Sequence, residues 1–353
     1  MKILTSALLT SLGNTPQTVA CAVEAKINRF QEIDYMGLDG EPVIMAKIPD
    51  GALPLLPPQI SRKYRTQPRK FRLLSLATGA LQSLAIEHAD SEQLALFLSG
   101  PDSIIAEGQL DHEFIESLGI SCGMEFHKCS LTNNLGRAGI MDVMDLAQRY
   151  MAETNTRHAI IGAVDTYHDL TALQYLNSQN RLLPASADGC IPGEGAAFFL
   201  VAAHTATQGH PAQNTLSIDR SDLYHLDNSE ETLAAVLGKA SLNSPLPVRT
   251  LYTCINGEAR FANQLAIAIS RHRQIFTEDY EIIRVAECLG DLGAASGGVM
   301  LALAHQRTIN SKENQNMLAC CISDNGTGAA MRLSYTPELK GALHDAHRVC
   351  EQA

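Results

Sequence analysis

Short apolar segments alternate with amphipathic segments along most of the chain. In the first part the pattern predicts strands at 3–12, 94–98 and 158–162 and helices at 69–88 and 141–152, with a further helix starting at Pro16. After about residue 212 the alternation starts again, with strands at 215–218, 250–254, 281–285, 318–322 and 329–334 and helices at 230–241, 259–273 and 294–305. A proline-rich insertion lies at 51–58. This alternation is typical of an α/β fold.

The restart divides the chain into two parts that have a similar order of elements. We place the linker in 204–214, so that 1–212 is the N-terminal half and 213–353 the C-terminal half of one domain. The two halves share no obvious sequence identity. The interpretation of an internal duplication therefore depends on the order of the elements.

The composition is that of an ordinary globular protein with an excess of acidic residues. A net charge of −11 over 353 residues argues against nucleic acid and anionic membranes as partners, because both need clustered Lys and Arg. One basic run, from Arg62 to Arg72, is interpreted as a solvated helix start, with a docking patch for an acidic partner as the alternative. The chain has neither an apolar stretch long enough for membrane insertion nor a signal-peptide pattern, so we expect a cytoplasmic protein.

The cysteines and histidines show no metal-binding pattern. The nine cysteines include no CxxC pair, and the twelve histidines include neither HxH nor HExxH. We therefore expect reduced, mostly buried thiols and predict no metal and no cofactor. His127, His158 and His168 are interpreted as structural.

Four segments, three of them glycine-rich, follow one another in an informative order. They are Ala-Ile-Ile-Gly-Ala-Val-Asp at 159–165, Cys-Ile-Pro-Gly-Glu-Gly-Ala-Ala at 190–197, Leu-Gly-Asp-Leu-Gly-Ala-Ala-Ser-Gly at 289–297 and Asn-Gly-Thr-Gly-Ala at 325–329. In motif and in order they resemble the β-ketoacyl synthases, also called 3-oxoacyl-[acyl-carrier-protein] synthases, over most of the chain. The resemblance implies a five-layered αβαβα thiolase-like fold with two duplicated βαβ halves, assembled as a homodimer.

The resemblance also implies a catalytic set that this chain lacks. In the family a cysteine at a helix N-terminus takes the acyl group, because the helix dipole and free N–H groups lower its pKa. Two histidines assist condensation, a lysine supports them, and a phenylalanine gates the acyl tunnel. The corresponding positions hold Arg137 for the cysteine, Asn256 for the first histidine, Ala286 for the lysine, Gly290 beside Asp291 for the second histidine, and Asp324 for the phenylalanine.

The missing set predicts a non-catalytic ketosynthase-like protein that keeps its scaffold for binding. The resemblance implies a protein partner, an acyl carrier protein or an acyl-like ligand, because members without the cysteine serve as chain-length partners of active synthases. Other ketosynthase-like proteins accompany bacterial secretion effectors. Arg137 opposes the helix dipole and suits an ion pair, and a pair between Arg137 and Asp324 would close the old tunnel.

The alternative is a working acyltransferase with a displaced thiol. Cys129 is the candidate nucleophile, because His127 and Lys128 beside it could lower its pKa, and Asn256 and Asp291 would then polarise the substrate. The competing interpretation makes Cys129 a core residue of a strand.

Four further residues near the glycine motifs receive structural interpretations. Cys190 is expected to be a partly buried loop thiol and Cys254 a core residue. Glu194 is expected to anchor a turn by accepting backbone N–H bonds. Glu258 is interpreted as the cap of the helix that follows it, and a carboxylate pair with Asp291 for acid–base work is the alternative.

Overall fold

The computed structural model has the alternating strands and helices of an α/β fold, and it describes residues 1–86, 93–105, 110–183, 188–203, 215–225, 231–242, 246–309 and 311–337. Within these ranges the strands are β1 (Lys2–Thr10), β2 (Gln31–Met36), β3 (Pro42–Met45), β4 (Leu96–Ser99), β5 (Leu131–Asn133), β6 (His158–Thr166), β7 (Glu194–Ala202), β8 (Leu216–His225), β9 (Val248–Thr253), β10 (Phe276–Arg284), β11 (Gln315–Ile322) and β12 (Thr327–Tyr335). The helices are α1 (Pro16–Glu24), α2 (Pro58–Lys63), α3 (Pro68–Leu81), α4 (His112–Cys122), α5 (Gly139–Thr154), α6 (Leu170–Ser178), α7 (Thr232–Ala240), α8 (Ala259–Arg271), α9 (Ala286–Leu289) and α10 (Ala295–Thr308).

The large sheet consists of two halves with the same topology. The N-terminal half has the order β1-β7-β6-β4-β5 and the C-terminal half the order β8-β12-β11-β9-β10. In both halves the first two neighbouring pairs are antiparallel and the last two are parallel. The halves meet where β1 pairs with β8 over two residues. This repetition confirms the predicted internal duplication, although the boundary proposed at residues 212 and 213 lies outside the described residues.

Helices and half-sheets form five layers. Helices α5 and α10 pack between the halves, since α5 contacts β4 and β6 on one side and β8 and β12 on the other, and α10 contacts β7 and β11. On the outer face of the N-terminal half lie α3 and α4, and on that of the C-terminal half lie α7 and α8. The large apolar cluster between the halves takes side chains from both. The predicted αβαβα thiolase-like architecture is therefore confirmed.

Local signals explain where individual helices begin and end. Helix α4 starts at Asp111, whose carboxylate accepts the N–H of Phe114, and stops at Gly123, which adopts a φ of 68° that favours glycine. Helix α6 starts in the same way at Asp169. The prediction of a helix over 69–88 is wrong at its C-terminal end, because α3 stops at Leu81 and residues 87 and 88 lie outside the described residues.

The hairpin of β2 and β3 is a small second sheet that the sequence analysis missed. Residues 31–36 alternate polar and apolar side chains, but the strand carries exposed acids and is mostly solvated. Its inward side chains, Ile33 and Tyr35, pack against the apolar cluster beneath α6. Over the described residues no helix is both long enough and apolar enough to cross a membrane.

Candidate functional site

Four residues that the resemblance places at or beside the family's catalytic and gate positions meet at one point between the two halves. Arg137 lies in a short turn between β5 and the start of α5, and Asp291 lies just before α10. Asn256 follows β9, and Asp324 follows β11. All four side chains are buried or nearly so. They converge because the carboxyl ends of parallel strands and the following helix N-termini lie on the same side of a sheet.

Arg137 is held by two carboxylates. Its Nε lies 3.0 Å from Asp291 Oδ1, and its Nη2 donates to Asp291 Oδ2, which completes a bidentate pair. Its Nη1 lies 3.3 Å from Asp324 Oδ2. The guanidinium also lies 5.2 Å from the centre of the Phe261 ring. The ion pair expected between Arg137 and Asp324 is present, and the bidentate pair with Asp291 was not expected.

Two further arginines and a glutamate extend this arrangement. Arg181 makes a bidentate contact with Glu258 at 2.6 and 2.8 Å and reaches Asp324 Oδ1 at 2.8 Å. Arg260 Nη2 also contacts Asp324 Oδ1, at 2.6 Å. Asn256 Nδ2 bridges Glu258 and Asp291, at 2.8 and 2.7 Å. We call the following set the arginine network: Arg137, Arg181, Arg260, Glu258, Asp291, Asp324 and Asn256.

The arginine network balances three cations against three carboxylates. All six carboxylate oxygens accept at least one hydrogen bond from the network. Burial by itself would raise the pKa of Asp324, but Arg137, Arg181 and Arg260 outweigh it and hold the pKa below its ordinary value. Burial likewise opposes the charge of Arg137, yet Asp291 and Asp324 raise its pKa well above its ordinary value. Both shifts favour the ionised forms of Asp324 and Arg137.

Sequence reasoning missed Arg181 and misassigned Glu258. Arg181 follows α6 in a stretch with no motif. Only its contact with Glu258, 77 positions later in the chain, shows that it belongs to the site. Glu258 occupies the N-cap position of α8, but its side chain makes no cap. Asp188 instead accepts the N–H of Ala259, at 2.6 Å. The predicted cap at Glu258 is thus wrong, because pairing with a buried guanidinium takes precedence.

The backbone leaves no room for a side chain at Gly290, where the resemblance implies the second histidine. Gly290 has a φ of 68°, and a Cβ there would lie 2.7 Å from the carbonyl oxygen of Ile191. Asn256, where the resemblance implies the first histidine, donates its amide hydrogens to the carboxylates of Glu258 and Asp291. Ala286, at the lysine position, begins the short helix α9.

The described thiols near the network are buried. Cys190 is fully buried, and burial, followed by the Asp291 and Glu258 carboxylates, raises the pKa of its thiol well above the ordinary value. Cys254 is also buried, and its Sγ accepts the N–H of Ile322 at 3.4 Å. The expectation that Cys254 is a core residue is confirmed, whereas Cys190 is more deeply buried than expected.

Cys129 lies away from the arginine network. It is exposed in the turn before β5, whereas Arg137 follows β5, so the two residues flank opposite ends of that strand. The interpretation of Cys129 as a core strand residue is wrong. Asn256 contacts Asp291 and Asp291 pairs with Arg137, and no described contact joins either residue to Cys129. Over the described residues, His, Cys, Asp and Glu side chains form no group of three or more suited to a metal ion.

A second buried ion cluster lies beneath α3. Arg72 contacts both oxygens of Glu194 at 2.5 Å, and Glu194 also accepts the N–H of Ile48 at 2.7 Å and the hydroxyl of Thr166 at 2.7 Å. Glu194 was expected to anchor a turn by accepting backbone N–H bonds, and it accepts one such bond, from Ile48. We call the following set the α3 cluster: Arg69, Arg72, Asp50, Asp165, Glu194 and Thr166.

The α3 cluster corrects the interpretation of the basic run. Arg62, Lys63 and Arg65 are exposed, as a solvated surface would be, but Arg69, Lys70 and Arg72 are buried. Lys70 pairs with Asp111 at 2.6 Å. The run is therefore divided, because residues on one side of α3 face carboxylates of the core.

Asp165 and Arg69 form the weaker part of the α3 cluster. Arg69 Nη2 lies 3.4 Å from Asp165 Oδ1, while its buried Nε and Nη1 have no hydrogen-bond partner among the described residues. Asp165 also accepts the N–H groups of Thr166 and Ala294. Burial nevertheless raises the pKa of Asp165 to about 6, against the opposing effect of Arg69.

Comparison with known proteins identifies the fold. No protein-family model and no curated protein matches the chain. Among solved structures it is similar to the ishigamide ketosynthase/chain length factor, with a TM-score of 0.69 and 17% identity over 94% of this chain and 98% of that chain. An oxazolomycin ketosynthase domain of Streptomyces albus JA3453 has a TM-score of 0.73 and 12% identity, over 96% of this chain and 76% of that chain. The PfaC keto synthase-chain length factor has a TM-score of 0.70 and 13% identity, over 96% of this chain and 43% of that chain. The chain therefore has the thiolase-like fold of the β-ketoacyl synthases.

Proposed function

We propose that this protein is a non-catalytic subunit with a ketosynthase fold, which binds an active synthase in the manner of a chain length factor. The observation that carries the proposal is Arg137, which stands at the nucleophile position and is fixed by Asp291 and Asp324. A guanidinium cannot attack a thioester, and its carboxylate partners occupy the space beside the helix N-terminus where an acyl group would react.

The electrostatics of the site support this proposal. Acyl transfer by a thiol is favoured by a lowered pKa, whereas burial, followed by the Asp291 and Glu258 carboxylates, raises the pKa of the Cys190 thiol. Condensation also needs free hydrogen-bond donors for a developing oxyanion, whereas Asn256 and Arg137 already donate to carboxylates. Burial by itself would raise the pKa of the Cys254 thiol, but the hydrogen bond with Cys321 and the charge of Arg137 lower it; Cys254 is nevertheless buried and its Sγ accepts the N–H of Ile322.

The names and lengths of two similar structures favour a chain-length role. The ishigamide ketosynthase/chain length factor chain is covered over 98% of its length, so this chain has the size of a single subunit of that kind. The PfaC keto synthase-chain length factor is covered over 43%, about the share expected if this chain corresponds to one of two fused units. An acyl carrier protein is the further partner that such a complex would use.

The two edges of the large sheet support an association through β5. The edge strand β10 exposes the charged side chains of Glu278, Asp279 and Glu281, which discourage pairing with another strand. The opposite edge strand, β5, is the uncharged, half-buried segment Leu131–Asn133. We therefore propose β5 as the edge that pairs with a second subunit, either a copy of this chain or an active synthase.

Intact-protein mass spectrometry tests whether the protein is catalytic. The purified chain is incubated with acetyl, malonyl and long-chain acyl thioesters, alongside Cys129→Ala and Cys190→Ala. We expect no thioester adduct on any of the three proteins. An adduct that is labile to hydroxylamine and absent from one variant would overturn the proposal and identify the nucleophile.

Co-expression with a cysteine-containing synthase from the same gene neighbourhood tests the partner. We expect a stable complex of one copy of each, measured by size-exclusion chromatography with light scattering. Replacing Thr132 in β5 by Pro removes a backbone donor and should dissociate the complex without unfolding the subunit, since β5 is an edge strand. A homodimer that excludes the synthase would contradict the heteromeric assignment.

A further inference from the structure

Two buried cysteines face each other across neighbouring strands of the C-terminal half-sheet. Strands β9 and β11 are parallel, and their register pairs Thr253 with Cys320, so the next pair along the strands is Cys254 with Cys321. The N–H of Cys254 donates to the carbonyl oxygen of Cys320 at 3.4 Å, which continues the pairing one residue beyond β9. Because paired residues of adjacent strands project to the same face of a sheet, the side chains of Cys254 and Cys321 lie side by side.

The packing of the side chains agrees with this register. Cys254 and Cys321 belong to the apolar cluster between the two halves, whereas Cys320 belongs to the cluster beneath α7 and α8. The exposed fraction is 3% for Cys254 and 1% for Cys321. The thiol of Cys321 donates a hydrogen bond to the sulfur of Cys254. The fold therefore holds two free thiols in contact inside the protein.

The spacing of the two strands suits a disulfide bond. Neighbouring strands lie about 4.8 Å apart, and the Cα atoms of disulfide-linked cysteines are separated by roughly 4.4–6.8 Å. A bond between Cys254 and Cys321 can therefore form by rotation of the two side chains, without separating the strands. Cys320 cannot take part, because its side chain points to the opposite face of the sheet.

The two thiols differ in how readily they ionise. Burial opposes ionisation of Cys254, but the hydrogen bond from Cys321 and the charge of Arg137 outweigh it and lower the pKa of the Cys254 thiol. Burial and the same hydrogen bond raise the pKa of the Cys321 thiol well above its ordinary value. Since the thiolate is the form that reacts with peroxides, Cys254 is the sulfur expected to react first.

We infer that Cys254 and Cys321 form a reversible disulfide bond when the protein meets a hydroperoxide. The thiolate of Cys254 attacks one oxygen of hydrogen peroxide, the O–O bond breaks, and the departing hydroxide takes up the proton that Cys254 released. The sulfur of Cys321 then attacks the resulting sulfenic acid, and the hydroxyl group leaves as a second water with the Cys321 proton. Two electrons pass from the thiol pair to the peroxide. The inference does not depend on the proposed function.

The disulfide would connect two chain segments that carry the arginine network. Asn256 follows Cys254 by two residues, and Asp324 follows Cys321 by three. Both residues bond to other members of the network. A covalent link between the two strands restricts how far these segments can separate, so oxidation would hold the network closed.

Peptide mapping after peroxide treatment tests the inference. The folded protein is treated with hydrogen peroxide, alkylated, digested without reductant and analysed by mass spectrometry, alongside Cys254→Ala, Cys321→Ala and Cys320→Ala. Cys320 is a matched control, because it is fully buried and adjacent to Cys321 but points to the opposite face. Circular dichroism verifies that each protein stays folded during the treatment.

The variants should identify both sulfurs and the order in which they react. The wild type and Cys320→Ala should yield a linked peptide pair containing Cys254 and Cys321, which dithiothreitol separates. Cys254→Ala should leave Cys321 reduced, whereas Cys321→Ala should accumulate a sulfenic acid at Cys254 that dimedone traps. Thiols that stay reduced in the peroxide-treated wild type would overturn the inference. A linked pair that contains Cys320 in place of either residue would also overturn it.

Urea denaturation separates bond formation in the folded state from oxidation of an unfolded fraction. The disulfide restricts the unfolded chain, so the oxidised wild type should unfold at a higher urea concentration than the reduced protein, and dithiothreitol should reverse the shift. Peroxide should produce no such shift in Cys321→Ala. An oxidised wild type whose midpoint does not rise would show that the fold does not hold the two thiols in position to react, and the inference would fail.

Discussion

The arginine network and the α3 cluster are both ionic and largely buried, but Arg69 and Asp165 of the α3 cluster are less fully paired than the groups of the network. Every carboxylate oxygen of the network has a partner, and its arginines make bidentate contacts with Asp291 and Glu258. In the α3 cluster, Arg69 reaches Asp165 at 3.4 Å, and two of its nitrogens have no hydrogen-bond partner in the described part of the chain. The network also joins the two halves, since Arg137 and Arg181 come from the first and their carboxylates from the second.

The comparison teaches that buried charges can be paired to different degrees in one protein. A buried ion pair contributes little net stability relative to apolar packing, but removing one partner leaves an unpaired charge at a high cost. The well-paired network should therefore be far more sensitive to single substitutions than the loosely paired Arg69 and Asp165.

The largest expected effect is that of Arg137→Cys, which places a cysteine where the resemblance to the family implies a nucleophile. It leaves Asp291 and Asp324 short of a buried cation, so we expect a loss of about 3–5 kcal/mol in the free energy of unfolding. Urea denaturation measures this, with Arg149→Cys on the exposed face of α5 as the control that should change little. The same variant should gain no acyltransferase activity, since Gly290 and Asn256 provide no imidazole. An active variant of wild-type stability would contradict our view of the network.

Asp165 should make the free energy of unfolding depend on pH, with a smaller effect than that of Arg137→Cys. Its pKa of about 6 in the folded protein exceeds the ordinary value of 3.8, so the folded state binds this proton more tightly than the unfolded state. The stabilisation is complete below pH 3.8 and is lost as the pH rises through 6, by at most about 3 kcal/mol. The difference in unfolding free energy between wild type and Asp165→Asn, measured from pH 4 to 7.5, should follow this curve. A difference that does not vary with pH would place the pKa of Asp165 near its ordinary value.

A double substitution that removes the charges of Arg69 and Asp165 together is a further test of the difference between the α3 cluster and the arginine network. Arg69→Met with Asp165→Asn removes both charges, keeps an acceptor for the N–H of Ala294 and fills a similar volume. We expect a change within about 1 kcal/mol, or a gain, because two poorly compensated charges no longer need to be desolvated. The matched pair Arg137→Met with Asp291→Asn should cost clearly more, since Asp324, Asn256 and Gly293 would lose contacts. Equal losses in the free energy of unfolding for the two double variants would contradict the distinction between the arginine network and the α3 cluster.

Arg260 should have the smallest effect within the network. Its side chain is 48% exposed, so solvent screens its contact with Asp324, and Arg181 and Arg137 still hold that carboxylate. We expect Arg260→Ala to cost below about 1 kcal/mol in urea denaturation. A loss as large as that of Arg137→Cys would show that Arg260 is an integral member and not a peripheral one.

Several features of the site were predictable because they depend on local patterns. The turn from Gly290 to Gly293, the buried strands and the start of α8 follow from glycine positions and hydrophobic periodicity. The pair of Arg137 with Asp324 was predictable because both residues stand at known positions of one fold. The part played by Arg181 was not, since no motif surrounds it.

The amino-acid sequence by itself determined the α/β class and the duplication. These properties depend on the order and spacing of residues along the chain. Only the tertiary structure decided which charges are buried and how they pair, since Arg137 meets Asp291 across 154 positions and Arg72 meets Glu194 across 122. Coulombic partners are selected by distance in space and by exclusion of water, and neither is encoded in local periodicity.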